Sequence, residues 1–192
     1  MHGELLMDMQ DDFYDMAKSV TKYKGFYIGR YEISKSTSNT AQSKANSIAL
    51  TTDNDNEISE MNGNTWYGLY AYGKTYTNSY DSVVSSMVWG SQYDAMMRWM
   101  EYNGDNVTSV NDTIKNTNQT TTGFKEDTDV IRNIYDLYGG RHEFTLEAAG
   151  VANRVGRGGK YDSSNSPSHR YGGTISGTST STSSRLALYI KY

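Results

Sequence analysis

The C-terminal stretch "RVGRGGKYDSSNSPSHRYGGTISGTSTSTSSRLALYIKY" (Arg154–Tyr192) decides how the chain is read. Its end is a strand pattern. Leu186, Leu188 and Ile190 alternate, so they share one face and must pair back into a sheet. Its middle is close to low complexity. Between Lys160 and Ser184, 16 of 25 residues are Ser, Thr or Gly, a composition that suits a flexible linker. A linker needs something beyond it, however, and here only one strand follows. The Ser/Thr/Gly segment is therefore expected to be displayed on a scaffold anchored by "RVGRGG" before it and "SRLALYIK" after it. A merely disordered segment is the competing reading.

Working outward, 192 residues suit one domain with a short extra arm. A hydrophobic fraction of 36% would permit disorder, but 17 Tyr, 4 Phe and 3 Trp argue for a folded core built on aromatics. With one Pro and 18 Gly, turns fall to Gly, Asn, Asp and Ser. Without Cys there is no disulfide scaffold, no thiolate nucleophile and no Cys-ligated metal. The opening "MHGELLMDMQDDFYDM" lacks a basic region and an apolar run, so no signal peptide is expected. No segment reaches the roughly 18 apolar residues of a membrane span, so no membrane insertion is expected. The net charge of -4 argues against a nucleic-acid partner.

The expected elements give an α+β protein of two helices, short twisted antiparallel strands and long loops. Residues 11–24 read as a helix with Phe13, Met16, Ala17 and Val20 on one stripe, stopped by Gly25. "GFYIGRYEIS" (Gly25–Ser34) reads as a strand and 35–65 as a polar surface excursion. A second helix is expected to start with Ser91 as its cap, to present Tyr93, Met96, Met97 and Met100, and to end at Gly104. The stretch 103–128 is polar. Its sequons at Asn106, Asn111 and Asn118 read as loop rather than as glycosylation sites. "IRNIYDLYGGRHEFTLEA" reads as a turn followed by a strand.

Tests for chemistry come back empty. The three histidines, His2, His142 and His169, form no metal-binding motif, and His2 sits in a terminus expected to be mobile. "GRGGKY" lacks the Gly-Lys-Ser/Thr ending of a phosphate loop. A single "RVGRGG" in an acidic chain reads as a tight turn rather than an RNA-binding segment. Glu143 and Glu147 read as structural acids rather than a glycosidase pair.

Four segments in order resemble the C-type lectin fold of the formylglycine-generating-enzyme type. "GFYIGRYEIS" resembles that family's opening "F-x-I-G-x-Y-E-V-T" strand, and "MVWGSQYDAMMRWM" (Met87–Met100) resembles its "V-x-W-x-D-A-x-x-Y-x-x-W" helix. "IYDLYGGRHEFTLEA" (Ile134–Ala148) is similar to its "D-M-x-G-N-V-W-E-W-T" signature. "RVGRGGKY" with "SSRLALYIK" resembles its closing "R-V-x-R-G-G-S-W … G-F-R" strands. The departures matter. The formylglycine-forming members use cysteine and the iron-dependent members a His cluster, and both are missing here. Gly140-Arg141-His142 also stands where the family has Asn-Val-Trp. The resemblance thus implies the scaffold without its enzymes' chemistry, and so a binding protein with no cofactor and no catalytic residue.

One branch of that fold comprises the variable proteins of diversity-generating retroelements, in which adenine-bearing codons, typically Asn codons, are randomised in a C-terminal region. The present C-terminus is similar to such a region. Varying the first two bases of an AAY codon never gives Glu, Gln, Lys, Met, Trp or a stop. From Gly150 to Arg185 there is no Glu, Gln, Met or Trp and one Lys, Lys160, which that codon set cannot produce. The same segment holds five Lys/Arg and one acid, a net +4 that leaves -8 for the rest.

The resemblance implies an N-terminal helical segment over 1–24, expected to be the remnant of a longer protein. It also implies a lectin-like domain over 25–192 with its variable region at about 140–185. Ligand contacts are expected at Arg141, His142, Ala152, Asn153, Gly156, Lys160, Asp162 and Asn165. They continue at His169, Tyr171, Gly172, Gly173, Ser176, Gly177, Ser179 and Ser181. Such residues suit an adaptable binding surface, with Tyr and Arg as anchors and Ser and Gly as adaptors. Arg154, Arg157, Gly158, Gly159, Arg170, Arg185, Trp89, Trp99, Glu143 and Phe144 are assigned to the scaffold. The expected partner is a protein or glycan receptor on a host cell surface, met from a phage tail or a cell-surface assembly; the oligomeric state stays open. An ordinary carbohydrate- or protein-binding lectin domain and an enzyme of the same superfamily are the alternatives.

Overall fold

The structure is a computed structural model that describes residues 2–52, 65–77, 81–125 and 127–191, with side chains from Met9 onward. It opens with helix α1 (His2–Tyr23), which starts well before the expected residue 11. Met16 and Ser19 are buried and Val20 packs against the core. Phe13 is 47% exposed and only meets Trp89 edge-on, with ring centroids 5.0 Å apart, so the stripe is rotated from the expected one. Asp12 holds the helix down through the Tyr70 hydroxyl and through Lys74, 2.9 Å away.

Strand β1 (Tyr27–Lys35) is the strand expected from "GFYIGRYEIS". The excursion after it is less irregular than its polarity suggests. It contains β2 (Ala41–Ser43), and Ala49, Leu50, Thr51 and Thr52 are buried. Asn46 N–H donates to the Thr122 carbonyl and Thr122 N–H to the Ser47 carbonyl, so two polar loops satisfy each other's backbone. The rest of the excursion, 53–64, lies outside the described residues.

Helix α2 (Trp66–Gly73, "WYGLYAYG") has no counterpart in the sequence reading. Its composition favours strands, yet it buries Trp66, Leu69, Tyr70 and Tyr72, and that packing overrides propensity. A 3-10 turn (Lys74–Thr77) leads to β3 (Val83–Met87) and α3 (Gly90–Tyr102). The expected apolar face of α3 is buried at Tyr93, Met96, Met97 and Met100. Its start differs. The N-cap is Trp89, whose backbone N–H donates to Gln92 Oε1 at 2.9 Å, and Ser91 is exposed. Four buried side chains at about 1.5–3 kcal/mol each outweigh a serine cap of about 1 kcal/mol, so the buried face sets where the helix begins.

The sequon asparagines sit in local turns: Asn106 Oδ1 accepts from Ser109 N and Asn118 Oδ1 from Thr120 N and Thr121 N. Below them a polar hub forms on buried Asn116. Its N–H donates to Asp129 at 2.6 Å and its side-chain amide to Asp136 at 2.8 Å. Burial pushes the Asp129 carboxyl up to about 6. The short hairpin β4 (Val130–Ile131) and β5 (Ile134–Tyr135) follows, then β6 (His142–Gly150), β7 (Asn153–Arg157), β8 (Arg170–Thr174) and β9 (Thr182–Ile190).

The main sheet runs β2-β1-β9-β6-β7-β8, with β3 also paired to β9. All pairings are antiparallel except β6 with β9, so the architecture is α+β with a mixed sheet. Strand β9 is central. It contributes Leu186 and Tyr189 to one core cluster and Ala187 to the other, while Leu188 and Ile190 are half-buried. The one-faced alternation expected there is therefore replaced by burial on both faces. Strand β8 is an edge with alternating exposure.

Candidate functional site

Fixed charges underlie the C-terminal surface. On β9, Arg185 Nε donates to both Glu143 carboxylate oxygens at 2.9 and 3.1 Å, and the same guanidinium donates to the Gly29 and Tyr135 carbonyls. Both residues are essentially inaccessible, as a scaffold assignment requires. Arg157 pairs with Asp94 at 2.6 Å and lies over the Tyr93 ring, and Arg154 lies over Trp66. Gly158 and Gly159 are buried beside them. Two residues assigned to the scaffold are instead accessible: Trp99 is 49% exposed, and Arg170 makes a surface ion pair with Glu147.

Above this layer lies a cleft of about 400 Å³. Strand β6 supplies His142 and Phe144, and edge strand β8 supplies Tyr171, Gly173 and Thr174. The turn into β9 adds Gly177, Thr178, Ser179, Ser181 and Thr182, while Lys160 and Thr52 close the rim. The cleft thus gathers seven of the expected contacts: His142, Lys160, Tyr171, Gly173, Gly177, Ser179 and Ser181. His169 joins them through ring contacts, 5.6 Å from His142 and 6.3 Å from Tyr171 between centroids. The His142 and Tyr171 rings are 4.5 Å apart.

Hydroxyls knit the turn. Ser179 and Ser181 share a hydrogen bond of 2.9 Å, Tyr171 and Thr182 one of 3.3 Å, and Thr52 Oγ1 donates to the Ser179 carbonyl at 3.2 Å. His142 Nδ1 lies 2.9 Å from the Gly158 carbonyl, which can only accept, so Nδ1 carries the proton and Nε2 is left as an acceptor. Burial, assisted by the neighbouring His169 and Lys160, holds the imidazole down to about 4. Lys160 pairs with Asp162 at 3.0 Å. The cleft therefore offers hydroxyl donors and acceptors, a neutral imidazole, a phenol ring and one ammonium, which suits recognition of a polar, uncharged or weakly anionic group. Among the described residues, no group of three or more His, Asp or Glu stands where it could hold a metal ion.

The other expected contacts are scattered. Ala152, Asn153, Asp162, Gly172 and Ser176 are exposed, and Asn165 is half-buried, but none lines the cleft. Two are corrected to the interior. Arg141 is 4% exposed: its backbone N–H donates to Glu32 at 2.6 Å, its Nε to the Thr180 carbonyl at 3.1 Å, and its terminal nitrogen to the Gln119 carbonyl. It braces the turn into β9 from below. Gly156 is buried, and a Cβ there would lie 2.1 Å from the Tyr171 ring. At Gly173, which does line the cleft, a Cβ would come within 2.5 Å of the Phe144 ring, so this position too has no room for a side chain. His142 is 9% exposed and reaches the cleft only by its ring.

Sequence reasoning missed Thr52, Phe144, Thr174, Thr178 and Thr182. The three C-terminal threonines belong to the same restricted composition and could have been found by it. Thr52 arrives from a distant loop and carries no local signal. Phe144 is core and cleft wall at once.

No protein-family profile matches the chain, and no curated protein gives a significant match. One solved structure, the crystal structure of CarF, is similar in fold with a TM-score of 0.55 at 13% identity, covering 86% of this chain and 87% of that one. At that identity the likeness speaks for the fold alone. Among the described residues, no helix is long and apolar enough to cross a membrane.

Proposed function

We propose that this protein binds ligands without catalysis, on a C-type-lectin-like scaffold of the formylglycine-generating-enzyme type, through a C-terminal surface diversified by a retroelement. The expected setting is receptor binding by a phage tail or a cell-surface adhesin, with a protein or glycan on a host cell as partner. The observation that carries the reading is the division within one segment. Residues from the codon-restricted stretch, within Tyr171 to Ser181, line a cleft, whereas the flanks that anchor them are buried. The test is a set of variants in which Asp162, Asn165, Ser176, Ser179 and Ser181 are exchanged for other residues of the same codon set. Melting temperatures are expected within a few degrees of the parent, with binding to a panel of glycans and cell-surface proteins redirected. Loss of folding in most variants, or binding indifferent to all of them, would sink the proposal. A near-repeat of the coding 3′ end beside a reverse transcriptase gene, differing at template adenines, is the corresponding genomic sign.

A fixed carbohydrate-binding lectin is favoured by one observation. Gly173 lines the cleft and has no room for a side chain, so part of the surface cannot vary. A glycan array run on several natural variants separates the two readings, because a fixed lectin keeps one sugar preference throughout.

A further inference from the structure

A second cleft, of about 420 Å³, lies between α3 and the β1 and β4–β5 strands and shares no lining residue with the first. Its walls are apolar: Phe26, Ile28, Met96, Ile134 and the half-exposed indole of Trp99. Among the described residues, no Asp or Glu lines it, although the chain as a whole carries a net charge of -4. Its polar lining is instead Arg30, Arg132 and Asn133.

The two guanidinium groups are not equivalent. Arg132 is engaged, with Nε 2.7 Å from the Asp105 carboxylate and a terminal nitrogen donating to the Asn103 carbonyl at 2.6 Å. Arg30 donates through Nε to the Asn133 carbonyl at 3.2 Å and stands 5.7 and 5.6 Å from the Tyr31 and Tyr135 ring centroids. Among the described residues, no carboxylate pairs with it. The β4–β5 hairpin tip supplies the carbonyl that holds it. Arg132 and Asn133 both hold left-handed backbone angles, φ +52° and +64°, the geometry favoured in two-residue hairpin turns.

We propose that this cleft binds a small amphiphilic carboxylate, its apolar body against Trp99, Met96 and Ile28 and its carboxylate on the Arg30 guanidinium. The volume lies within the range of small-molecule sites, and an apolar pocket with few convergent polar groups is their usual form. The planar guanidinium fork matches a carboxylate, and the tyrosine rings behind Arg30 keep it in place.

The test is calorimetric titration of the full chain with decanoate and with indole-3-acetate, each below its aggregation limit, against decanol as the uncharged counterpart. Saturable one-to-one binding of at least one carboxylate is expected, at least tenfold tighter than decanol. Arg30→Gln is expected to remove that preference while leaving decanol unchanged. Gly25→Leu is expected to block both classes. Gly25 lines the cleft and a Cβ there meets no atom within 4 Å, so this variant fills space without disturbing the fold, which its melting temperature verifies. Equal affinity for decanoate and decanol, decanoate binding unaffected by either substitution, or no saturable binding of any probe overturns the proposal.

Discussion

The last strand and the segment just before it are neighbours in sequence and opposites in physics. In β9, Thr182 to Ala187 are all buried, and Arg185 at their centre is shielded from water together with Glu143. Over 160–181, every residue except Pro167 is exposed or half-buried, and the side chains are mostly too small to contribute to a core. The difference lies in what each residue would leave behind if removed. A buried ion pair leaves an uncompensated charge, whereas an exposed serine leaves a site that water fills.

The largest effect should come from dividing the buried pair. Arg185→Met strands Glu143, whose carboxyl burial already raises, and leaves the Gly29 and Tyr135 carbonyls without their donor. A loss of about 3–5 kcal/mol in urea unfolding is expected. Adding Glu143→Leu should restore a large part of it, since two apolar side chains no longer carry a buried charge. If the double variant is no better than the single, the cost is lost packing rather than the stranded carboxylate.

A smaller effect, about 2 kcal/mol, should mark the boundary between the two regions at His142. Unfolded, its imidazole takes a proton near 6.5; folded, burial delays protonation to about 4. Between those values the unfolded chain holds more protons, so this residue's contribution to stability falls as pH drops from 6.5 toward 4. Glu32 works in the opposite sense. Burial pushes its carboxyl up to about 8, against the pull of Arg141, so stability from that group is lost as pH rises from about 4.5 to 8. Asp129, pushed up to about 6, acts in the same sense as Glu32, so the wild-type profile alone mixes opposing slopes. The difference between wild type and His142→Asn isolates the imidazole's slope, and it should shift in the variant's favour by about 2 kcal/mol between pH 6.5 and 5. A constant difference would mean that the imidazole stays accessible to protons in the fold.

These contrasts also explain what the sequence could and could not disclose. The α3 face and strand β1 were legible because burial imposes period and spacing, β7 was legible through the resemblance of "RVGRGG", and Gly104 closes α3 as its position suggests. Helix α2 was not, because "WYGLYAYG" is apolar on every side and periodicity cannot distinguish a fully buried helix from a strand. Arg141 reads as a display residue from the sequence because it falls within the segment, about 140–185, that the resemblance implies to be variable. Its true partners, Glu32, Gln119 and Thr180, are distant in sequence and could be known only from the fold. Much of the cleft was visible in composition. Its fourth wall, Thr52, was not.

Glycine supplies the finest division, because two residues of one type lie on opposite sides of the boundary. Gly156 sits on β7 beneath Tyr171, and Gly172 sits on β8 facing outward. A methyl group at Gly156 would enter the phenol ring at 2.1 Å, while one at Gly172 would meet only the Ala149 methyl at an ordinary 3.5 Å. Gly156→Ala must therefore displace Tyr171, which also ends its tilted ring contact with His142, and about 1–3 kcal/mol of destabilisation is expected from overpacking. Gly172→Ala should stay within about 0.5 kcal/mol of the parent, as surface changes do. Thermal or urea unfolding of the two variants side by side checks this. Equal costs would mean that Tyr171 swings away freely, and the cleft would then be shaped by its ligand rather than by the strands beneath it.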